Sequence, residues 1–109
     1  MKNQVCVLGS INLDTTFHVE RIPLPGETVS VFDKSSAPGG KGANQAVAAA
    51  RSGAKVHFIG AIGDDNSGQK MLESLKKDSI DLTNINKSDK AGTGTATIML
   101  DQNGQNLSL

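Results

Sequence analysis

The sequence predicts an α/β fold, with a mainly parallel core sheet flanked by helices and a small added β flap. Three observations carry this. An apolar β-branched run ended by glycine opens the chain, an alanine-rich helical pattern leads into a second such run, and a polar Thr/Val-rich pair around a Pro-Gly turn lies between the first run and the helix.

Residues 4–9, Gln-Val-Cys-Val-Leu-Gly, have the pattern of a strand buried on both faces of a sheet. Loop chemistry follows in Ser10-Ile11-Asn12-Leu13-Asp14. Residues 15–22 and 28–34 are mixed polar and apolar and flank Pro23-Leu24-Pro25-Gly26-Glu27, where Pro-Gly favours a type II turn, so two exposed strands are expected here. Residues 41–52 place Ala43, Ala46, Val47 and Ala50 at helical spacing with side chains small enough for close packing, and Gly53 stops that helix. Residues 55–60 read as a second buried strand, and Gly63-Asp64-Asp65-Asn66 supplies capping chemistry for a helix over about 66–77 with Met71, Leu72 and Leu75 as its apolar stripe. Ile80, Leu82 and Ile85 make a weak extended pattern. Thr95 to Leu100 reads as a strand, and Asp101-Gln102-Asn103-Gly104 as a hairpin turn.

Length and charge bound the function. At 109 residues the chain has room for one modest domain, short for an enzyme that handles two substrates. Asn106-Leu107-Ser108-Leu109 reads as the start of a return strand, so the chain is expected to be a truncated, amino-terminal piece. Eleven basic residues balance eleven acidic ones, which leaves no global field for nucleic acid or an anionic membrane. Three Phe and no Trp or Tyr offer little for base stacking. No nucleic-acid or membrane partner is therefore expected. Cys6 stands alone in an apolar run, which suits a small buried hydrophobe in a reducing cytoplasm, and the polar Met1-Lys2-Asn3-Gln4 start is unlike a signal peptide.

Two segments carry candidate chemistry. Asn12 and Asp14 follow the first buried strand, where ligands sit in open α/β sheets, and together they can accept from and donate to the vicinal hydroxyls of a sugar. The same residues also suit a loop whose side chains cap their own backbone. Gly39-Gly40-Lys41-Gly42-Ala43-Asn44 opens the alanine-rich helix, where glycines admit a ligand to free N–H groups and Lys41 and Asn44 share the first turn. A tight turn is the plainer use of such a Gly-Gly pair. It is no P-loop, because Ser35 stands where the first glycine is required and Gly42, not Ser or Thr, follows Lys41; Gln45 likewise breaks the dinucleotide fingerprint. Asp64 and Asp65 are expected to be helix-cap residues, His18 and His57 ordinary strand residues, and the Thr93 to Thr97 run an expression of β-propensity.

Taken together, these residues resemble the ribokinase-like carbohydrate kinases. Gly39-Gly40-Lys41-Gly42-Ala43-Asn44-Gln45-Ala46-Val47-Ala48-Ala49-Ala50-Arg51-Ser52-Gly53-Ala54, followed by Gly60 and Gly63-Asp64-Asp65, is similar to that family's first signature in residues and spacing. Gly9-Ser10-Ile11-Asn12-Leu13-Asp14 and Pro25-Gly26-Glu27-Thr28 extend the likeness over nearly the whole chain, and the Gly-Gly-Lys-Gly-Ala-Asn-Gln wording leans toward ribose-phosphorylating members over fructose and nucleoside kinases. The resemblance implies transfer of phosphate from ATP to the 5-hydroxyl of ribose, with Mg²⁺ and a monovalent cation (K⁺). It implies that Asn12 and Asp14 hold sugar hydroxyls while Gly40, Lys41, Gly42 and Asn44 line the same pocket. It implies further that the strands at about 15–22 and 28–36 form a lid over the sugar and the contact of a homodimer.

The family's catalytic Asp, in a Gly-Ala-Gly-Asp motif, has no counterpart here, nor do its ATP pocket, monovalent-cation loop and acidic Mg²⁺-associated motif. A positioned base contributes about 10²- to 10⁴-fold in rate. The chain alone is therefore expected to lack kinase activity, and the other readings left open are a non-catalytic sugar-binding or dimerisation module and a nucleotide-binding half-domain.

Overall fold

A computed structural model describes residues 3–109, so the Met1-Lys2 part of the polar start lies outside the described residues. The elements run β1 (Gln4–Leu8), β2 (Asn12–Val19), β3 (Val31–Gly39), α1 (Lys41–Arg51), β4 (Lys55–Gly63), α2 (Asn66–Lys77), β5 (Ile85–Ser88), β6 (Gly94–Leu100) and β7 (Asn106–Ser108). They fall into two compact units. One comprises the described part of Met1–Leu13 with Pro38–Gly94, the other Asp14–Ala37 with Thr95–Leu109. None of the described helices is long and apolar enough to cross a membrane.

The first unit is built on a three-stranded parallel sheet of order β1-β4-β5. Gln4 pairs with Lys55 through to Leu8 with Ile59, and Gly60 pairs with Ile85 through to Gly63 with Ser88. An isolated bridge between His57 and Asp81 continues the second ladder. Parallel strands need long crossovers, and α1 and α2 are helices on two of them. Their apolar stripes meet the sheet in one cluster: Ala43 and Ala46 from α1, Met71 and Leu75 from α2, Val7, Val56, Phe58 and Ile62 from the strands, with Ile11 and Ile80. Fully burying a side chain such as Phe58, Met71 or Leu75 contributes about 1.5–3 kcal/mol.

Both helices lie on the same face of this sheet, which corrects the reading of β1 as buried on two sides. Along β1 Val5 is half-buried and Val7 buried, whereas Gln4, Cys6 and Leu8 are exposed, and on β4 Val56 and Phe58 are buried whereas Lys55 and Ile59 are exposed. Cys6 is thus an exposed thiol and not a core residue. The cause is the pleat: successive side chains alternate faces, and only the face that carries Val7, Val56 and Phe58 meets a helix.

α1 and α2 fall where the periodicity places them. Gly53, at φ +99°, follows the Ser52 C-cap of α1. α2 begins at Asp65, whose side chain accepts from the Gly68 N–H at 2.8 Å, and it buries Met71 and Leu75 with Leu72 half-buried.

The second unit is a four-stranded sheet of order β3-β2-β6-β7, in which β6 and β7 are antiparallel with Met99 opposite Leu107. The flap is therefore larger than the expected pair, because the closing hairpin joins it. Its first two strands also differ from the expected 15–22 and 28–36: β2 starts at Asn12 and ends at Val19, and β3 runs from Val31 to Gly39. Pro23 and Pro25 have no N–H to give a ladder, and the turn at Leu24–Glu27 is closed otherwise. Glu27 N donates to Leu24 O at 3.0 Å, the Leu24 N–H donates to Glu27 Oε1 at 2.9 Å, and the Arg21 guanidinium grips both Glu27 oxygens. Gly26 takes φ +81°, as a type II turn requires after Pro25. This clamp removes residues 20–30 from the strands. At the other end, Asp101 Oδ1 accepts from the N–H groups of Asn103 and Gln105, each at 2.9 Å, and closes the β6–β7 hairpin.

Candidate functional site

The end of β1 and the start of α1 come together through glycine. At Gly40 the backbone adopts φ +95°, and a Cβ there would lie 2.7 Å from Ser10 O and 2.9 Å from Asn12 N. At Gly42 a Cβ would lie 2.7 Å from Ser10 N. No side chain larger than hydrogen fits at either place, so the first turn of α1 rests directly on the backbone of residues 9–12. One hydrogen bond joins them, from Ala43 N to Ser10 O at 3.0 Å.

That contact leaves the helix start with free donors. Gly40 is the N-cap and makes no side-chain cap bond; Asn44 N–H donates back to Gly40 O, and Ala43 N–H is used by Ser10. The N–H groups of Lys41 and Gly42 have no acceptor among the described residues. They carry the partial positive charge of the helix terminus, and the exposed Lys41 adds a full one.

Asn12 and Asp14 are not in a loop, as their polarity suggests, but at the start of β2. Being two apart on a strand they project to the same side. Both are half-buried, and Asp14 Oδ1 is buried without a hydrogen-bond partner among the described residues. A buried acceptor left unpaired costs about 1–3 kcal/mol, so such atoms in native proteins have a use. Asn12 is adjacent to Gly40 through its backbone. Asn44, exposed, lines a shallow groove between α1 and α2 with Val47, Arg51, Ser74 and Asp78.

Residues that the sequence did not single out also touch this place. Gly94, the first residue of β6, lies so close to Asn12 that a Cβ on it would overlap Asn12 Oδ1 and lie 3.2 Å from Asn12 Cγ. Thr93 precedes the strand and is nearly fully buried, bonded to Asp65 and to Gly63, so it is not a pleated surface residue as β-propensity suggests. The glycines of Gly92-Thr93-Gly94 were the available signal, since glycine at a strand start marks close backbone approach.

The histidines are structural neighbours of other side chains: His18 lies 6.2 Å from the Phe32 ring, and His57 bonds Asp81 at 3.1 Å and Gln4 at 3.3 Å. Among the described residues no three His, Cys, Asp or Glu side chains are grouped to hold a metal ion. A larger groove of about 680 Å³ lies elsewhere in the first unit, lined by Ile62, Leu72, Ile80, Leu82 and Ile85 with Lys and Glu side chains at its rim.

The chain is 45% identical over 106 residues to a ribokinase of Haemophilus influenzae, covering 97% of this chain and 35% of that protein. It is 46% identical over 107 residues to a ribokinase of Staphylococcus aureus, again covering 97% and 35%. The chain thus spans about a third of the length of the curated relatives it matches. Among solved structures, Arabidopsis thaliana ribokinase complexed with ribose and ATP superposes with a TM-score of 0.91 at 34% identity, over all of this chain and 36% of that one. Residues 2–109 match the family described as pfkB family carbohydrate kinase, and the chain belongs to that family.

Proposed function

We propose that the chain is the sugar-holding portion of an ATP-dependent kinase that converts ribose to ribose 5-phosphate. The observation that carries this is the Asn12 backbone against Gly40, at a helix start whose Lys41 and Gly42 N–H groups have no acceptor among the described residues; Asp14, two residues along β2, has a buried Oδ1 likewise without a partner among them. A sugar hydroxyl is a donor and an acceptor at once. It can give its proton to Asp14, while the Asn12 amide serves a neighbouring hydroxyl in either sense. Gly40, Gly42 and the amides at the start of α1 favour an electron-rich oxygen, and Lys41 and Asn44 supply further donors from the first turn. Each relative named above is a ribokinase, and one was solved with ribose and ATP.

In this reading the chain binds and orients; it does not supply the base that deprotonates the reacting hydroxyl. ATP, Mg²⁺ and K⁺ belong to the whole kinase. The described residues offer no group of three or more His, Cys, Asp or Glu side chains that would hold a metal ion. A homodimer through the second unit's strands is part of the same reading, supported by the exposed Val31 and Phe32 on β3. A cytoplasmic location is part of the same reading, supported by the use of ATP and by the free thiol at Cys6.

Backbone amide resonances of the purified chain, recorded against ribose and separately against ATP, test the proposal. Ribose should move the signals of Asn12, Asp14 and Gly40 to Asn44, and a coupled ADP-release assay should show no ribose-dependent turnover by the chain alone. Perturbation at those positions by ATP and not by ribose would replace the sugar reading with a nucleotide one.

A further inference from the structure

The Gly63-Asp64-Asp65 segment has the composition of a helix cap, and the cap is present. Capping α2 requires only one bond, from Gly68 N to Asp65 Oδ1 at 2.8 Å. Asp65 makes two more, to a residue far along the chain. Its Oδ2 accepts from Thr93 N at 2.9 Å, and its Oδ1 accepts from the Thr93 hydroxyl at 2.7 Å. The hydroxyl in turn accepts from the buried Gly63 N–H at 2.9 Å. Thr93 is held at both its backbone and its side chain, by a carboxylate, and charge-assisted bonds are the strong kind. The three donors hold the Asp65 carboxyl below the usual carboxylate range, the Thr93 hydroxyl first among them.

The next residue is Gly94, and it packs against the Asn12 side chain closely enough that a methyl group would overlap Oδ1. Gly94 also lies near Ile11 O, which a Cβ would approach to 3.3 Å. Adjacent α-carbons are joined at a fixed distance of about 3.8 Å, so fixing Thr93 in the clamp fixes the surface that Asn12 leans on. The space beside the Asn12 amide is therefore set by a hydrogen-bond cluster of Gly63, Asp65, Gly68 and Thr93.

We infer that Asp65 and Thr93 are positioning residues for Asn12: their clamp seats Gly94 against the Asn12 amide and selects the orientation in which that amide meets a sugar hydroxyl. This rests on the reading of Asn12 as a sugar-holding residue. It adds that sugar affinity is set in part by the start of α2, through the turn before β6.

Two substitutions separate positioning from capping. Asp65→Asn keeps a good N-cap acceptor for Gly68, yet its single carbonyl oxygen cannot also replace both bonds to Thr93. Thr93→Val removes the hydroxyl at nearly constant shape, and Thr93→Ser returns it. In the purified chain, D65N and T93V should shift the Asn12 side-chain amide resonances while leaving those of Asn103 in place, and T93S should restore them. Ribose affinity should fall about tenfold in D65N and T93V, the equivalent of one lost hydrogen bond in a binding constant, and recover in T93S.

The two ways of failing are distinct. If unsubstituted chain shows no response to ribose while the Asn12 resonances still follow D65N and T93V, the sugar reading fails and the clamp stands as the determinant of Asn12 geometry. If the Asn12 resonances ignore both variants, the positioning role is overturned whatever ribose does. Should T93V fail to fold, D65N with its cap intact decides the matter by the same signal.

Discussion

The Ala43 amide donates to the Ser10 carbonyl at 3.0 Å, and this one bond ties the first turn of α1 to the end of the first strand. It uses the third N–H of the helix, while the first two have no acceptor among the described residues. The same contact draws Gly40 and Gly42 against residues 9–12, so the donors and the Asn12 backbone occupy one place.

Gly40→Ala tests that closeness. The new methyl would meet Ser10 O at 2.7 Å, in a backbone at φ +95° that alanine rarely adopts. Strain of about 1–3 kcal/mol from the backbone adds to overpacking of similar size. A urea unfolding midpoint should fall accordingly. An unchanged midpoint would mean that α1 can move away from residues 9–12 at little cost.

Phe58→Ala should remove about 3–5 kcal/mol, since the ring is fully buried at the centre of the sheet-helix cluster. Ile59→Ala, next to it but exposed on the uncovered face, should cost far less. Denaturant melts of the two variants check the one-sided burial directly, because equal losses would require the other face to be covered as well.

Glu27 should titrate abnormally. Its bond to Arg21, then that from the Leu24 N–H, hold the carboxyl at about 2, against about 4.3 for an unperturbed Glu. A depressed carboxylate contributes its stability fully above the unfolded value and loses it as pH falls toward the folded one. The turn should therefore stay closed at pH 5 and loosen between about 4.3 and 2. Carboxyl resonances followed through that window check it, and Arg21→Gln should bring the Glu27 midpoint up toward the ordinary value.

Asp101→Ala should free the N–H groups of Asn103 and Gln105 in the β6–β7 turn. Each net hydrogen bond contributes about 0.5–1.5 kcal/mol. Amide exchange should quicken at Met99 and Leu107, a hydrogen-bonded pair of the hairpin, while Val56 and Phe58 in the parallel sheet keep their rates. Faster exchange in both sets would show that the turn governs more than its own sheet.

The local elements were legible because their causes are local. Alanines at helical spacing between Lys41 and Arg51, a cap at Asp65 and a glycine at position 53 each act within a turn or two of chain, and the structure places α1 and α2 accordingly. Asn12, Lys41 and Gly40 were marked by chemistry and spacing in the same way. Two errors have the opposite cause. Cys6 looked buried because its neighbours are apolar, but exposure depends on which sheet face the helices cover. The flap looked two-stranded because nothing near residue 95 says that β6 will pair with β2, some eighty residues earlier.

By itself, then, the order of residues determined the α/β class, the two helices, and the glycine-lysine-asparagine start of α1, all of which follow from short-range sterics and periodicity. Only the tertiary structure decided that Ser10 and Ala43 meet, that Asp14 keeps an unpaired buried oxygen, and that Asp65 reaches Thr93 beside Asn12. Those facts arise from pairing and packing between segments distant in sequence, where no local propensity selects the partner.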